Sequence, residues 1–266
     1  MDSEKVVTAS GAVDKATGMP KFSADETIKK IRAAGMNNPE IEEAIRRAEQ
    51  NYNDAYRKYG YAFPPIILPT EEEKIRMKET VLSGYEKGES FSGKDFSGID
   101  LSDMDLRGID FREAFLEGAN FSGADLRGAD FTRCVLVRTD FTKAFLPSAK
   151  LSEACLGQAK LIGADLKRAD LTSAVLVQAD LTGAVMKESL MDEADCTRAV
   201  FINADLEKVS AAKVRFLECD LSGANLSGAK ATDAMFVRAV LEGANFSNID
   251  MEAAIFAGAE GTPAKK

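Results

Sequence analysis

Ala119-Asn120-Phe121-Ser122-Gly123-Ala124-Asp125-Leu126 begins the same five-residue phrase twice: a small residue, an Asp or Asn, a large apolar residue, then two polar or glycine positions. From Phe91 to Phe256 the phase never slips. There are 34 units without insertion or deletion, of which 28 carry Leu or Phe at the centre and 22 carry Ala two residues earlier. A period of five matches neither the helical nor the strand repeat, so the chain must turn a corner after every unit. Alternate residues of an extended segment point the same way. The large residue and the small one two before it therefore share a core, while the Asp or Asn between them faces outward. A small partner beside each Leu or Phe lets that core fill without overpacking.

Composition narrows the chemistry. Among 266 residues there is no His and no Trp, and the formal charge is −9. The side chain that most often serves as acid, base or metal ligand near neutral pH is missing, so no catalytic residue, metal ligand or cofactor site is expected. Phosphate-loop and nucleophile motifs are absent too, and the chain reads as a non-enzyme. The acidic balance argues against nucleic acid as a ligand. Cys134, Cys155, Cys196 and Cys219 show no paired spacing and read as reduced thiols. The stretch from Met1 to Met19 has no apolar run, which leaves no signal peptide or membrane anchor and implies a cytoplasmic protein.

The run of Ala-(Asp/Asn)-(Leu/Phe)-x-x units resembles the pentapeptide-repeat family over about two-thirds of the chain. The resemblance implies an all-β solenoid, a right-handed quadrilateral parallel β-helix with four units and about 20 residues per coil. It also implies a role in binding proteins. Some members resemble DNA in shape and charge and bind type II topoisomerases such as gyrase, which is the alternative reading of function here. Two local passages, Leu106-Arg107-Gly108-Ile109-Asp110-Phe111-Arg112-Glu113-Ala114-Phe115-Leu116-Glu117-Gly118-Ala119 and Val214-Arg215-Phe216-Leu217-Glu218-Cys219-Asp220-Leu221, are similar to repeat regions of type VI secretion accessory proteins. That likeness implies a bacterial scaffold or adaptor serving a secretion-system component.

Outside the repeat the domain reading is a disordered tail over 1–22, a helical segment and cap over 23–88, the β-helix over 89–258 and a C-terminal tail over 259–266. Within the helical segment, Ser23-Ala24-Asp25-Glu26 predicts a helix start with an end near Gly35, and Pro39 opens a helix that ends near Gly60. The prolines between Tyr61 and Pro69 predict extended chain. Thr70-Glu71-Glu72-Glu73 starts a helix that stops by Gly88 and is placed to close the N-terminal end of the solenoid.

If residues twenty apart stack, one of the four walls stands out. Around its inward residues it carries Phe115, Val135, Val137, Cys155, Val175, Val177, Leu217, Met235, Val237 and Ile255, where the other walls show mostly Asp, Asn, Ser, Thr, Lys and Arg. Apolar residues recurring on one wall read as a protein-binding surface. Its occupant is expected to be the chain's own N-terminal helices, a second copy in a homodimer, or a foreign protein. The Asp ladders on the other walls read mainly as turn-bonding residues, with Arg107, Arg127, Lys167, Arg168, Lys187 and Lys208 interleaved among them.

Overall fold

The structure is a computed structural model that describes residues 23–262. The tail expected over 1–22 and the last residues, 263–266, lie outside the described residues. The chain divides into two compact units. One runs up to Tyr52 and includes Phe63–Ile67, and the other comprises Asn53–Ala62 with everything from Leu68 onward.

A helical hairpin spans residues 24–59, of which the part up to Tyr52 belongs to the first unit and the last turns of its second helix to the second. Helix α1 (Ala24–Ala33) starts where the Ser23 hydroxyl accepts the Glu26 N–H, and Gly35, with φ +82°, ends it. Helix α2 (Pro39–Tyr59) starts where the Asn38 Oδ1 accepts the Glu40 N–H at 2.9 Å. The two run antiparallel: the Ala24 N–H donates to Glu49 at 3.0 Å, and Arg32 grips Glu42 with two bonds of 2.6 and 2.5 Å. A turn of 3-10 helix over Gly60–Ala62 follows α2.

The second unit is a parallel β-helix built from pairings between residues twenty apart, from Asp95↔Phe115 to Val240↔Glu260. Nothing interrupts the register between Phe91 and Phe256. Each side of a coil contributes one ladder residue between two turns, so the strands are single bridges. Coil-to-coil bonds run both ways: the Phe111 N–H donates to the Asp130 carbonyl at 2.9 Å, and the Phe115 N–H to the Lys94 carbonyl at 2.9 Å. Within a unit, the Ala114 N–H closes a turn on the Phe111 carbonyl at 2.9 Å. The third residue of that turn is left-handed, as in a type II turn. This position is filled by 22 non-glycine residues and 12 glycines through the solenoid, one in every unit. None of the 22 is Val, Ile or Thr, because a branched Cβ suffers most in that conformation.

The inward pair forms the core. Leu, Phe and Ala of successive units are fully buried from Phe91 to Ala244, and phenylalanines stack between coils, as for Phe121 on Phe141 (5.2 Å, 7°) and Phe236 on Phe256 (4.7 Å, 5°). Where a polar atom replaces the small alanine, it bonds the carbonyl of the coil before. Thr139 donates to Leu116 at 2.9 Å, Cys134 to Phe111 at 2.6 Å and Cys219 to Cys196 at 2.7 Å. Ser189 occupies the same kind of position but its buried hydroxyl has no partner.

Helix α3 (Glu71–Glu86) opens on a reciprocal capping box between Thr70 and Glu73. Its Val81 is fully buried in the solenoid's core cluster, with Met77, Leu82 and Tyr85 packed beside it. The Tyr85 hydroxyl donates to the Arg107 carbonyl at 2.9 Å. Gly84 faces Phe91 so closely that a Cβ there would stand 2.8 Å from the ring.

Replacing Ser189 with Ala removes an unsatisfied buried hydroxyl, whereas replacing Thr139 with Ala removes a bonded one. Chemical denaturation should show Ser189→Ala as neutral to more stable by about 1 kcal/mol and Thr139→Ala as less stable by at least about 1 kcal/mol. Equal losses in both would show that the Ser189 hydroxyl is bonded in solution.

Candidate protein-binding wall

The wall singled out in the sequence stacks Phe115, Val135, Cys155 and Val175 by direct pairing of each with the next. The ladder then passes through Asp195 and Arg215 before it returns to Met235 and Ile255. Asp195, Thr197 and Arg215 thus split the ten residues into two groups, and an ion pair of 3.2 Å joins Arg215 to Asp195 at the break.

The first group lies beneath the chain itself. Val135, Val137 and Cys155 are fully buried and Val177 nearly so, while Phe115 and Val175 are half-buried. What covers them is Asn53–Ala62, the last turns of α2 and the short turn after it. Tyr56 stacks on Phe115 at 6.4 Å and 23°, and the Arg57 guanidinium sits 5.3 Å above the same ring. The Tyr56 hydroxyl donates to the carboxylate of Glu117, which is buried and also accepts from Arg138 at 2.6 Å. Gly60 rests against Val137, where a Cβ would stand 3.1 Å from a methyl. Tyr61 occupies the space over Gly157, where a Cβ would fall inside the tyrosine side chain. Burial pushes the Cys155 thiol up, with the Gly157, Tyr61 and Gly60 N–H groups working against it. Further along, Leu68 and Pro69 press on Gly98, and Leu68 on Gly118, at one corner of the first coils.

The second group is open to a different degree. Leu217, Met235 and Val237 are half-buried and Ile255 is 47% exposed. The other walls are not uniformly polar: Phe145, paired with Asp125 and Asp165, is 52% exposed, and Leu190, paired with Asp170 and Ser210, is 45% exposed.

The Asp ladders have the local role the sequence suggests. Asp130, Asp140 and Asp170 each accept the N–H of the residue two ahead, at 3.1, 2.9 and 2.9 Å. Basic residues neutralise them in place, and charges of opposite sign stack between coils, as in Lys150–Asp130, Arg168–Glu188 and Arg198–Glu218–Arg238. Arg112 beside Asp110 holds that carboxyl well below the usual range against an opposing effect of burial, and Arg107 and Arg127 act likewise on Asp105 and Asp125.

Residues 90–133, 119–158, 149–187, 179–216 and 219–258 match the family described as Pentapeptide repeats, in 8 copies. The chain belongs to the pentapeptide-repeat family. Two trypsin-treated forms of QnrB1, a plasmid-mediated fluoroquinolone resistance protein, share the pentapeptide-repeat fold. They are 19% and 20% identical, with TM-scores of 0.51 and 0.52, and each match covers 64% of this chain and 90% or 88% of the other. HetL, a pentapeptide-repeat protein involved in heterocyst differentiation regulation in the cyanobacterium Nostoc, is 26% identical over 68% of this chain and 92% of its own, with a TM-score of 0.30. Pentapeptide-repeat proteins of this kind are right-handed quadrilateral β-helices, which is the class of the four-sided coil here. Comparison with curated protein sequences gives no match. No helix among the described residues is long and apolar enough to cross a membrane.

The depressed Asp carboxyls favour the folded chain while ionised, an advantage complete above their unfolded value and lost as pH falls through the lower folded one. With no His to titrate, the denaturation midpoint should stay flat between about pH 5 and 8 and fall below about pH 4. A midpoint that moves between pH 6 and 7 would contradict this, and so would one indifferent to acid.

Proposed function

We propose that this pentapeptide-repeat protein is a non-catalytic scaffold that binds another protein through the open half of its apolar wall. The split of that wall carries the reading. Its first half is filled by Asn53–Ala62, whereas Leu217, Met235, Val237 and Ile255 continue the same ladder with more of their surface free. Apolar side chains aligned on rigid backbone form a pre-ordered surface, so little ordering entropy opposes a partner. In this reading α3 is the cap of the N-terminal coil, supported by Val81 in the core and by the Tyr85–Arg107 bond. The first half of the wall is not the partner surface while Asn53–Ala62 lies on it.

The carboxylates support a binding role over a catalytic one, because those of the ladders are engaged in turn bonds and ion pairs. The same lattice of paired charge works against the DNA-mimic alternative, since interleaved cations break up the continuous negative field that the DNA-binding groove of a topoisomerase would recognise. Nothing in the geometry favours a secretion-system component over another protein partner, so the proposal stays with the adaptor role and, with it, a cytoplasmic setting.

Met235→Asp with Val237→Asp places two charges on the open half of the wall and leaves the core residues intact. The parent should capture a defined protein from its host lysate, or a second copy by light scattering, and the double variant should lose it with an unchanged circular dichroism spectrum. Equal capture by both proteins would remove the wall from function. Added to a gyrase supercoiling assay, the parent should have no effect, and inhibition would favour the DNA-mimic alternative.

A further inference from the structure

The two ends of the β-helix are unlike. At its start Val81 of α3 packs into the core cluster, and Phe91 and Phe96 of the first coil are buried. At its finish the same kind of inward residue stands bare: Met251 is 38% exposed and Phe256 37%, and Phe246, Ile249, Ala254 and Ala259 are only half-buried. Among the described residues no element covers this last core layer.

The backbone ladder stops in the same way. In earlier coils the N–H of a central residue donates to the coil that follows, and the carbonyl of the small residue two before it accepts from that coil. Phe236 thus donates to the Ile255 carbonyl at 2.7 Å, and the Ala234 carbonyl accepts the Ile255 N–H at 2.9 Å. The N–H groups of Met251 and Phe256 and the carbonyls of Ile249 and Ala254 hold the same positions and have no such partner among the described residues. Unpaired backbone beside an exposed apolar layer is an edge on which another chain can pair.

The pattern of that edge selects the chain. Each of these walls presents one donor and one acceptor, two residues apart, on either side of an outward residue. An antiparallel strand with the same two groups satisfies both, each donor meeting the other's acceptor. A copy of this chain turned end for end about a two-fold axis brings such strands in an outline of the same four-sided section, and its own last core layer meets this one.

We propose that the C-terminal end of the β-helix is a self-association site, at which two copies join end to end with antiparallel edges and bury each other's last core layer. Association stops at two, because at the other end of each β-helix the core layer is already covered by α3. The contact differs from the open half of the apolar wall, whose Leu217, Met235 and Val237 face outward from the side of the coils.

Light scattering on the full chain should give twice the mass of one chain at micromolar concentration, falling toward a single mass on dilution. Met251→Lys places a charge in the joined layer and should give a monomer with unchanged circular dichroism, while Met251→Leu should stay dimeric. Met235→Asp with Val237→Asp should stay dimeric as well. Hydrogen exchange in the parent decides the matter if Met251→Lys does not fold: the Met251 and Phe256 amides should exchange at least about tenfold more slowly where the dimer forms than where dilution separates it.

A parent that is monomeric at micromolar concentration would overturn the proposal, as would a dimer that persists in folded Met251→Lys, or exchange at Met251 and Phe256 that ignores protein concentration. A dimer abolished by Met235→Asp with Val237→Asp would overturn it too, by placing the contact on the side of the solenoid. Capture of a foreign protein through the wall is read separately from all of these.

Discussion

Pairing at a spacing of twenty residues imposes four corners on each coil, and each corner sets one residue in the left-handed region. That constraint organises the rest of the molecule. Because the turn closes on the central carbonyl, the residue after the corner must be small and inward, and the next is delivered outward onto the following wall. Left-handed backbone is unfavourable for most residues. It is tolerated at non-glycine corners because the same residue's N–H is bonded to the next coil, as from Glu113 to the Thr132 carbonyl at 2.8 Å. The side chain at the corner is then free to carry charge, and charges of alternating sign stack there, as Arg198, Glu218 and Arg238 do.

Most of the fold is written in the five-residue phrase. It specifies which residues enter the core, and burial follows it through the coils from Phe91 to Ala244. Helix starts at Ser23, Pro39 and Thr70 were readable from capping chemistry, which is local. The occupant of the wall was not readable in the same way. Val135 and Val137 look alike whether covered by this chain or by another, because an apolar outward residue encodes a need for burial and not the identity of what buries it. One signal did exist: on that wall Gly157 stands between Val137 and Val177, and a glycine in an apolar ladder marks close approach of another segment. Glu117 was also overlooked, since a charged residue on an apolar wall reads as solvated until Tyr56 and Arg138 are seen around it.

The charge pattern bears on what such a rod can recognise. A net charge of −9 spread over walls of paired ladders differs from the same charge gathered into one field. Exposed pairs such as Arg168–Glu188 add little to stability, yet they cancel the long-range potential that would steer a DNA-binding surface onto the rod. What remains distinctive at short range is the apolar wall, a surface suited to shape and burial rather than to electrostatic attraction.

The break at Asp195, Thr197 and Arg215 then acquires a meaning that neither half of the wall has alone. Burial raises the tendency of the Tyr61 hydroxyl to keep its proton, Asp195 adds to that effect, and Arg215 opposes it, so the end of Asn53–Ala62 lies within electrostatic reach of the break. A polar interruption at that place ends one apolar surface where its occupant ends and starts another. A continuous apolar ladder would have let a single helix slide along the wall in steps of one coil, since every coil presents nearly the same surface. Placing a charge pair at the end of the covered half fixes the register of Asn53–Ala62, because a segment shifted by one coil would bury Asp195 or Arg215 against apolar side chains.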